Sequence, residues 1–300
     1  MAEFTEDVTL EYIHSIIKKR SPFIHKGDCG RVLIVAGGAG MTGAAVLSAR
    51  AALRSGSGLV YVCTPKQNYP VVQTLAPEAI CVDWNQVAGT FGSKSAGNWN
   101  YDAVAFGPGM GVTPASRRML KAVLLSYTGP LVLDADGLNC LSADAELAGF
   151  ARNYSGELVV TPHIGEAKRL LAGRKEAAGS REDMVRSLVL AYRCIAVLKG
   201  AGTLTARLEG SGTESGIRIF RNTTGNPGMA TAGAGDVLTG VITSLAGQGI
   251  PLWDAARSGV WLHGRAGDIA CRYKGEYGLI ASDIVDALPA AFMGAAQEQQ

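Results

Sequence analysis

The residues best placed for chemistry lie in one run, Asn222-Thr223-Thr224-Gly225-Asn226-Pro227-Gly228-Met229-Ala230-Thr231-Ala232-Gly233-Ala234-Gly235-Asp236. The helical pattern of Val237, Leu238, Val241, Ile242 and Leu245 follows at once. Glycines at the start of a helix let backbone N–H groups converge, and the helix dipole adds partial positive charge there. The run therefore suits an anion such as phosphate. Asp236 stands at the beginning of that helix. It could be an ordinary N-terminal cap or a general base beside bound phosphate, and its position fits both roles.

Four other segments place chemistry where a strand would end. Gly37-Gly38-Ala39-Gly40-Met41-Thr42-Gly43 resembles a nucleotide-binding turn, although its spacing is not GxGxxG and it lacks the Lys-Ser/Thr ending of a P-loop. Phe106-Gly107-Pro108-Gly109-Met110-Gly111 offers a surface bare of side chains, and a sharp connection would look the same. Thr161-Pro162-His163-Ile164-Gly165-Glu166 brings an imidazole and a carboxylate together, suited to substrate or metal–phosphate contact. Lys199-Gly200-Ala201-Gly202-Thr203 adds a cation and free backbone, which could face a nucleotide or form a surface hairpin. His14, His25 and His263 read as ordinary. No two histidines have ligand spacing, so a zinc site is not expected.

Short aliphatic runs must hold these loops. Strands are expected at 31–36, 59–63, 79–82, 103–106, 131–134, 158–161 and 196–199, several of them apolar on both faces as buried parallel strands are. Helical patterns near 43–55, 115–125, 165–171 and 181–192 separate them. Alternation of this kind gives a mostly parallel sheet with helices on both faces, whose ligands bind beyond the carboxyl ends of the strands. Beyond Lys199, runs at 204–207 and 217–221 predict an antiparallel hairpin at a sheet edge around a Gly-Ser loop at 210–216. Helices are expected near 235–246, 252–271 and 282–292. Nothing resembling a linker, charge block or repeat divides the chain, so one α/β domain is expected over 1–300.

Composition narrows the function. The 28 basic and 26 acidic residues nearly cancel, and no basic stripe is present, which argues against nucleic-acid or membrane-surface partners. Apolar residues make up 47%, too many for a disordered chain. Glycine supplies 39 of 300 residues, well above the usual share of about 7% and without a collagen period. That excess needs a positional reason. The six cysteines show no CxxC, and neither a signal peptide nor a membrane span is expected, so the reading is a reduced cytoplasmic protein.

Taken in order, KGDCGRVLIVAGG at 26–38, GPGMG at 107–111, LDADGLN at 133–139, TPHIGE at 161–166, KGAGT at 199–203 and NTTGNPGMATAGAGDVLTG at 222–240 are more specific than any one alone. GAGD at 233–236 before a helix resembles the anion-hole motif of the ribokinase-like superfamily. The whole series resembles one family within it, the ADP- or ATP-dependent NAD(P)H-hydrate dehydratases. The resemblance covers roughly 26–292 and leaves out the epimerase half of bifunctional members. It implies a ribokinase-like three-layer αβα sandwich around a mostly parallel sheet.

The resemblance also implies a repair lyase. The (6S) hydrate of NADH or NADPH (NADHX or NADPHX) is phosphorylated on its ring hydroxyl, and phosphate then leaves to restore NAD(P)H. ADP is the expected donor, giving AMP, with ATP possible and Mg2+ as the metal. Asp236 would be the base, and the Gly233, Ala234 and Gly235 amides the anion hole. Ala44, Gly109, His163 and Asp236 match hydrate-binding positions. Lys199, Gly200, Ala201, Gly202, Thr203 and Gly235 match positions contacting AMP, and Glu166 matches an acid that helps place a metal–phosphate group. Members often carry a second glycine and Thr or Ser before Gly-Asp, where this chain has Ala232 and Ala234. A homo-tetramer and cooperation with a separate epimerase are implied as well. Two other readings use the same residues. One is a kinase of a small hydroxylated vitamin precursor, of hydroxyethylthiazole or hydroxymethylpyrimidine type, which would stop at the phosphoester. The other is a nucleotide-binding protein without turnover. TPHIGE and KGAGT favour the dehydratase.

Overall fold

The computed structural model describes residues 5–83, 85, 87, 101–175, 179–209 and 216–296. Its strands are β1 (Thr5–Asp7), β2 (Arg31–Val35), β3 (Leu59–Cys63), β4 (Ile80–Val82), β5 (Ala103–Phe106), β6 (Leu131–Leu133), β7 (Leu158–Val160), β8 (Ile195–Leu198), β9 (Leu204–Leu208) and β10 (Ile217–Arg221). They form one sheet in the order β1-β10-β9-β8-β7-β6-β5-β2-β3-β4. Only the pairings of β9 with its two neighbours are antiparallel, so β9 alone runs against the rest.

The helices are α1 (Leu10–Ile16), α2 (Thr42–Arg54), α3 (Tyr69–Leu75), α4 (Pro114–Ser126), α5 (Asp136–Ala143), α6 (Ala145–Arg152), α7 (Ile164–Leu170), α8 (Arg181–Tyr192), α9 (Ala234–Gly247), α10 (Leu252–Gly278) and α11 (Ala281–Ala296). Alternate strand residues feed two cores, because side chains change face at every residue of a strand. Val32, Ile34, Val132, Val159 and Val197 join the core under α2, α9, α10 and α11. Leu33, Val35, Phe106, Leu133 and Leu198 join the core under α4 to α8. This is the expected three-layer arrangement.

One helix crossing aligns the site. A Cβ on Gly240 of α9 would lie 2.2 Å from the Ser48 carbonyl of α2, so only glycine permits this approach. The crossing sets the N-termini of α2 and α9 side by side at the carboxyl edge of the sheet, and the Ser48 hydroxyl donates to the Asp236 carbonyl at 2.9 Å.

The expected strands all form, and the hairpin is antiparallel, but β10 is not the edge. Thr5-Glu6-Asp7 pairs alongside it in parallel. Arg218 to Glu6 at 2.8 Å and Arg221 to Asp7 at 2.9 Å hold that strand, so charge pairing made an edge where no apolar alternation announced one. The 210–215 part of the Gly-Ser loop lies outside the described residues. All six cysteines are free thiols. Among the described residues, no helix is long and apolar enough to cross a membrane.

Candidate active site

Backbone contacts build one side of the cleft. The Gly37 amide donates to the Pro108 carbonyl at 2.8 Å, and the Gly38 amide donates to the Gly109 carbonyl, zipping the loops after β2 and β5 together. Gly109 has φ +62°, and a Cβ there would lie 2.9 Å from that of Ala44 and 3.0 Å from that of Met41. Ala44 and Gly109, far apart in sequence, are therefore in contact. Gly107 has φ +129° and turns its bare Cα toward the Asp134 carbonyl, which a Cβ would approach to 1.9 Å. The Gly111 amide donates to Asp136 Oδ2 at 2.7 Å. Between the two aspartates, Ala135 sits at φ +47°, a strained position for a residue with a Cβ.

Charged side chains build the other side. Lys199 follows β8, and its Nζ is 2.6 Å from Asp134 Oδ1 and 3.9 Å from Glu166 Oε2. The other oxygen of Asp134 accepts from Thr239 Oγ1 at 2.7 Å, so this carboxylate, only 1% exposed, has both oxygens engaged. Burial opposes the charge on Lys199, but Asp134 and Glu166 outweigh it and raise its pKa. A Cβ on Gly235 would meet Lys199 Nζ at 3.2 Å. The ammonium thus lies directly under the opening turn of α9.

Asp236 occupies that turn. Burial, reinforced by Asp134 and partly offset by Lys199, pushes its carboxyl up to about 7. A carboxylate that titrates near neutrality is tuned for general-base work, whereas a solvated cap would stay acidic. Gly233, with φ +90°, caps the helix without a side-chain hydrogen bond.

His163 and Glu166 have local duties as well. His163 caps α7, its Nδ1 accepting from the Gly165 and Glu166 amides at 3.0 and 3.3 Å. Glu166 Oε2 accepts from the His163 amide at 2.9 Å, completing a reciprocal box. The His163 side chain is still 54% exposed. Lys199-Gly200-Ala201-Gly202-Thr203 is a closed turn: the Thr203 hydroxyl donates to the Gly200 carbonyl at 2.9 Å, and Arg181 donates to the carbonyls of Ala201 and Leu198. Lys199 reaches inward to the aspartates, whereas Ala201 and Gly202 lie on the outer turn, with Gly202 against Arg221. The motif therefore divides between two places.

Sequence reasoning left out Asp134, Asp136, Thr239 and Arg181. His263, read as ordinary, is a buried residue of α10. Strand-terminal aspartates in LDAD were the one available signal. A cavity of about 560 Å³ opens at the opposite end of the sheet, near Cys29, Ser55 and Leu245, and contains none of these groups.

For a metal, the donor set is sparse. Asp134 has no free oxygen, Asp136 is engaged by the Gly111 amide, and no group of three His, Cys, Asp or Glu among the described residues could hold an ion alone. Glu166 fits a cation that arrives already ligated by phosphates, as magnesium does with nucleotides.

Known proteins resemble this chain in sequence and in fold. A family model described as NAD(P)H-hydrate dehydratase matches residues 32–290. The chain is 38% identical over 275 residues to the ADP-dependent (S)-NAD(P)H-hydrate dehydratase of Neisseria meningitidis, covering 91% of this chain and 88% of that protein. It is equally similar, 38% over 291 residues, to the bifunctional NAD(P)H-hydrate repair enzyme of Moorella thermoacetica, covering 94% of this chain and 53% of the relative. The chain spans about half the length of the bifunctional relatives it matches. Among solved structures, the ADP/ATP-dependent NAD(P)H-hydrate dehydratase from Bacillus subtilis, co-crystallized with ATP and Mg2+, superposes with a TM-score of 0.82 at 26% identity. That match covers 98% of this chain and 100% of the other. The family model spans most of the sequence, and the chain belongs to the NAD(P)H-hydrate dehydratase family.

Proposed function

We propose that the protein returns the (6S) hydrate of NADH or NADPH to NAD(P)H, consuming ADP and releasing AMP and phosphate. The observation that carries this reading is Asp236: a largely buried carboxyl pushed up to about 7, in the first turn of α9, with the Lys199 ammonium beneath it. Asp236 takes the proton of the ring hydroxyl as its oxygen attacks the β-phosphoryl group of ADP. The Gly233, Ala234 and Gly235 amides and Lys199 stabilise charge on the phosphoryl oxygens. AMP leaves. The ring nitrogen lone pair then expels phosphate, a far better leaving group than hydroxide, and loss of the adjacent ring proton restores the double bond.

The remaining residues bind and orient. Ala44 and Gly109 from the backbone wall and His163 from the opposite side would contact the hydrate. Gly200, Ala201, Gly202 and Thr203 offer turn backbone to the nucleotide, with Gly235 between the two ligands. Glu166 would hold magnesium together with the phosphates, and the bound ion would neutralise charge on the transferred group. A homo-tetramer, a cytoplasmic setting and a separate epimerase partner belong to the same reading and rest on the family resemblance. Relatives named as dehydratases favour this reaction over the vitamin-precursor kinase.

Incubation with hydrated NADH, Mg2+ and ADP or ATP tests it. Recovery of NADH absorbance, faster with ADP, is the expected result. A stable phosphorylated product without NADH would point to a kinase and refute the proposal.

A further inference from the structure

Helix α10 backs the loop from Asn222 to Met229, which starts beside the Lys199–Thr203 turn. The Asn222 amide donates to the Thr203 carbonyl at 2.9 Å, joining the loop to that turn. Asn222 Nδ2 donates to the Thr224 carbonyl at 2.9 Å, and the Thr224 hydroxyl donates to the Trp261 carbonyl of α10 at 2.8 Å. Gly264 and Gly267 leave room for Thr224 and Met229, each of which a Cβ would approach to 2.3 Å. Loop and helix are in contact from Thr224 to Met229.

One carboxylate fastens the loop to this face. Asp268 lies on the same side of α10 as Gly264 and Gly267. Its Oδ2 accepts from the Gly225 amide and its Oδ1 from Asn226 Nδ2, both at 3.0 Å. The other end of the Asn226 carboxamide is engaged as well: Oδ1 accepts from the Gly228 amide at 3.1 Å and caps the short helical turn Pro227–Met229. A carboxylate only accepts and a backbone amide only donates, so these two neighbours fix which way the carboxamide faces. Met229 against Gly267 supplies apolar contact. Two donors on one charged acceptor add strength and direction.

We propose that Asp268 is a positioning residue for the nucleotide subsite. By holding Gly225 and Asn226 it fixes the Asn222–Met229 loop against α10, and through the bond from Asn222 to Thr203 it fixes the turn that meets ADP. It acts through the loop rather than on the reacting groups. The role rests on the dehydratase reading above, which assigns the nucleotide to that turn.

The test exchanges the two polar groups. Asp268→Asn sets two carboxamides face to face and leaves one donor without an acceptor. Asn226→Asp sets two carboxylates face to face. Combining both substitutions restores every bond: the carboxamide at 268 accepts from Gly225 and donates to the carboxylate at 226, which still accepts from Gly228. Thermal unfolding identifies folded variants, and Asp268→Ala replaces a single variant that does not fold. Expected is a KM for ADP raised about 5- to 30-fold in each single variant. The hydrate KM should stay unchanged, and the double variant should recover most of the loss. A defect of folding alone would lower the active fraction, and so kcat, without moving either KM. A native KM for ADP in the single variants, an equal rise in the hydrate KM, or a double variant no better than the singles would overturn the proposal. If the native protein shows no dehydration, that reading fails separately, and amide exchange decides the positioning role. The Gly228 amide should exchange faster in the single variants than in the native protein or the double variant. Equal exchange in all of them would overturn the proposal.

Discussion

The two walls of the cleft are held by different forces. The Gly37–Gly38 and Gly107–Gly111 wall is joined by backbone hydrogen bonds and depends on missing side chains. The Lys199–Asp134–Thr239 wall is joined by buried charge and hydroxyl groups. A wall made of bare backbone responds to volume and scarcely to pH. A wall made of buried charges responds to pH and to neutral substitution. Shape recognition and chemistry can therefore be perturbed separately.

The strongest challenge to that contrast is Asp236→Asn. Loss of a general base should lower kcat by about 10²- to 10⁴-fold with little change in the KM of the hydrate. Near-native kcat, measured by NADH recovery, would reduce Asp236 to a cap. Next comes Asp134→Asn, which leaves Lys199 facing an amide. Removing one partner of a buried pair costs about 3 kcal/mol, seen as a lower midpoint in urea unfolding. Because Asp134 helps raise Asp236, the pH midpoint of turnover should also move down.

The pH profile itself follows with the sign fixed. Asp236 must be ionised to act, so kcat should rise with pH and level off above about 7. Stability runs the other way. The folded carboxyl holds its proton at higher pH than the unfolded one, so this group's contribution falls as pH rises from about 4 to about 7. Asp236→Asn should flatten that slope in thermal unfolding curves. On the backbone wall, Gly109→Val forces a branched side chain to φ +62° and against Ala44. The hydrate KM should rise several-fold while the pH midpoint stays near 7; a shifted midpoint would mean the walls are not separable. The smallest effect is expected for Arg181→Ala. It frees the Ala201 and Leu198 carbonyls and should raise the KM for ADP a few-fold at constant kcat.

The glycine loops were legible because glycine declares itself: a turn after an aliphatic run can be seen in a string of letters. Lys199, Glu166, His163 and Asp236 were legible as polar residues at strand ends and helix starts. Asp134 was not. It ends an aliphatic strand, and its partners lie 65 and 105 residues away, so only the sheet order brings them together. The strand Thr5–Asp7 was hidden for a different reason: two arginines on β10 hold it, in the absence of any apolar pattern of its own.

The absent side chain at Gly240 acts as a gauge. It lies four positions from Asp236, about 6 Å along the helix, and it touches no predicted substrate position. Yet its contact with Ser48 sets how far α9 stands from α2, and in the proposed reaction that spacing would set the gap across which a hydroxyl meets a phosphoryl group. On that reading the tolerance of the proposed reaction would be machined into a helix crossing behind the site, where one methyl group would act as a shim.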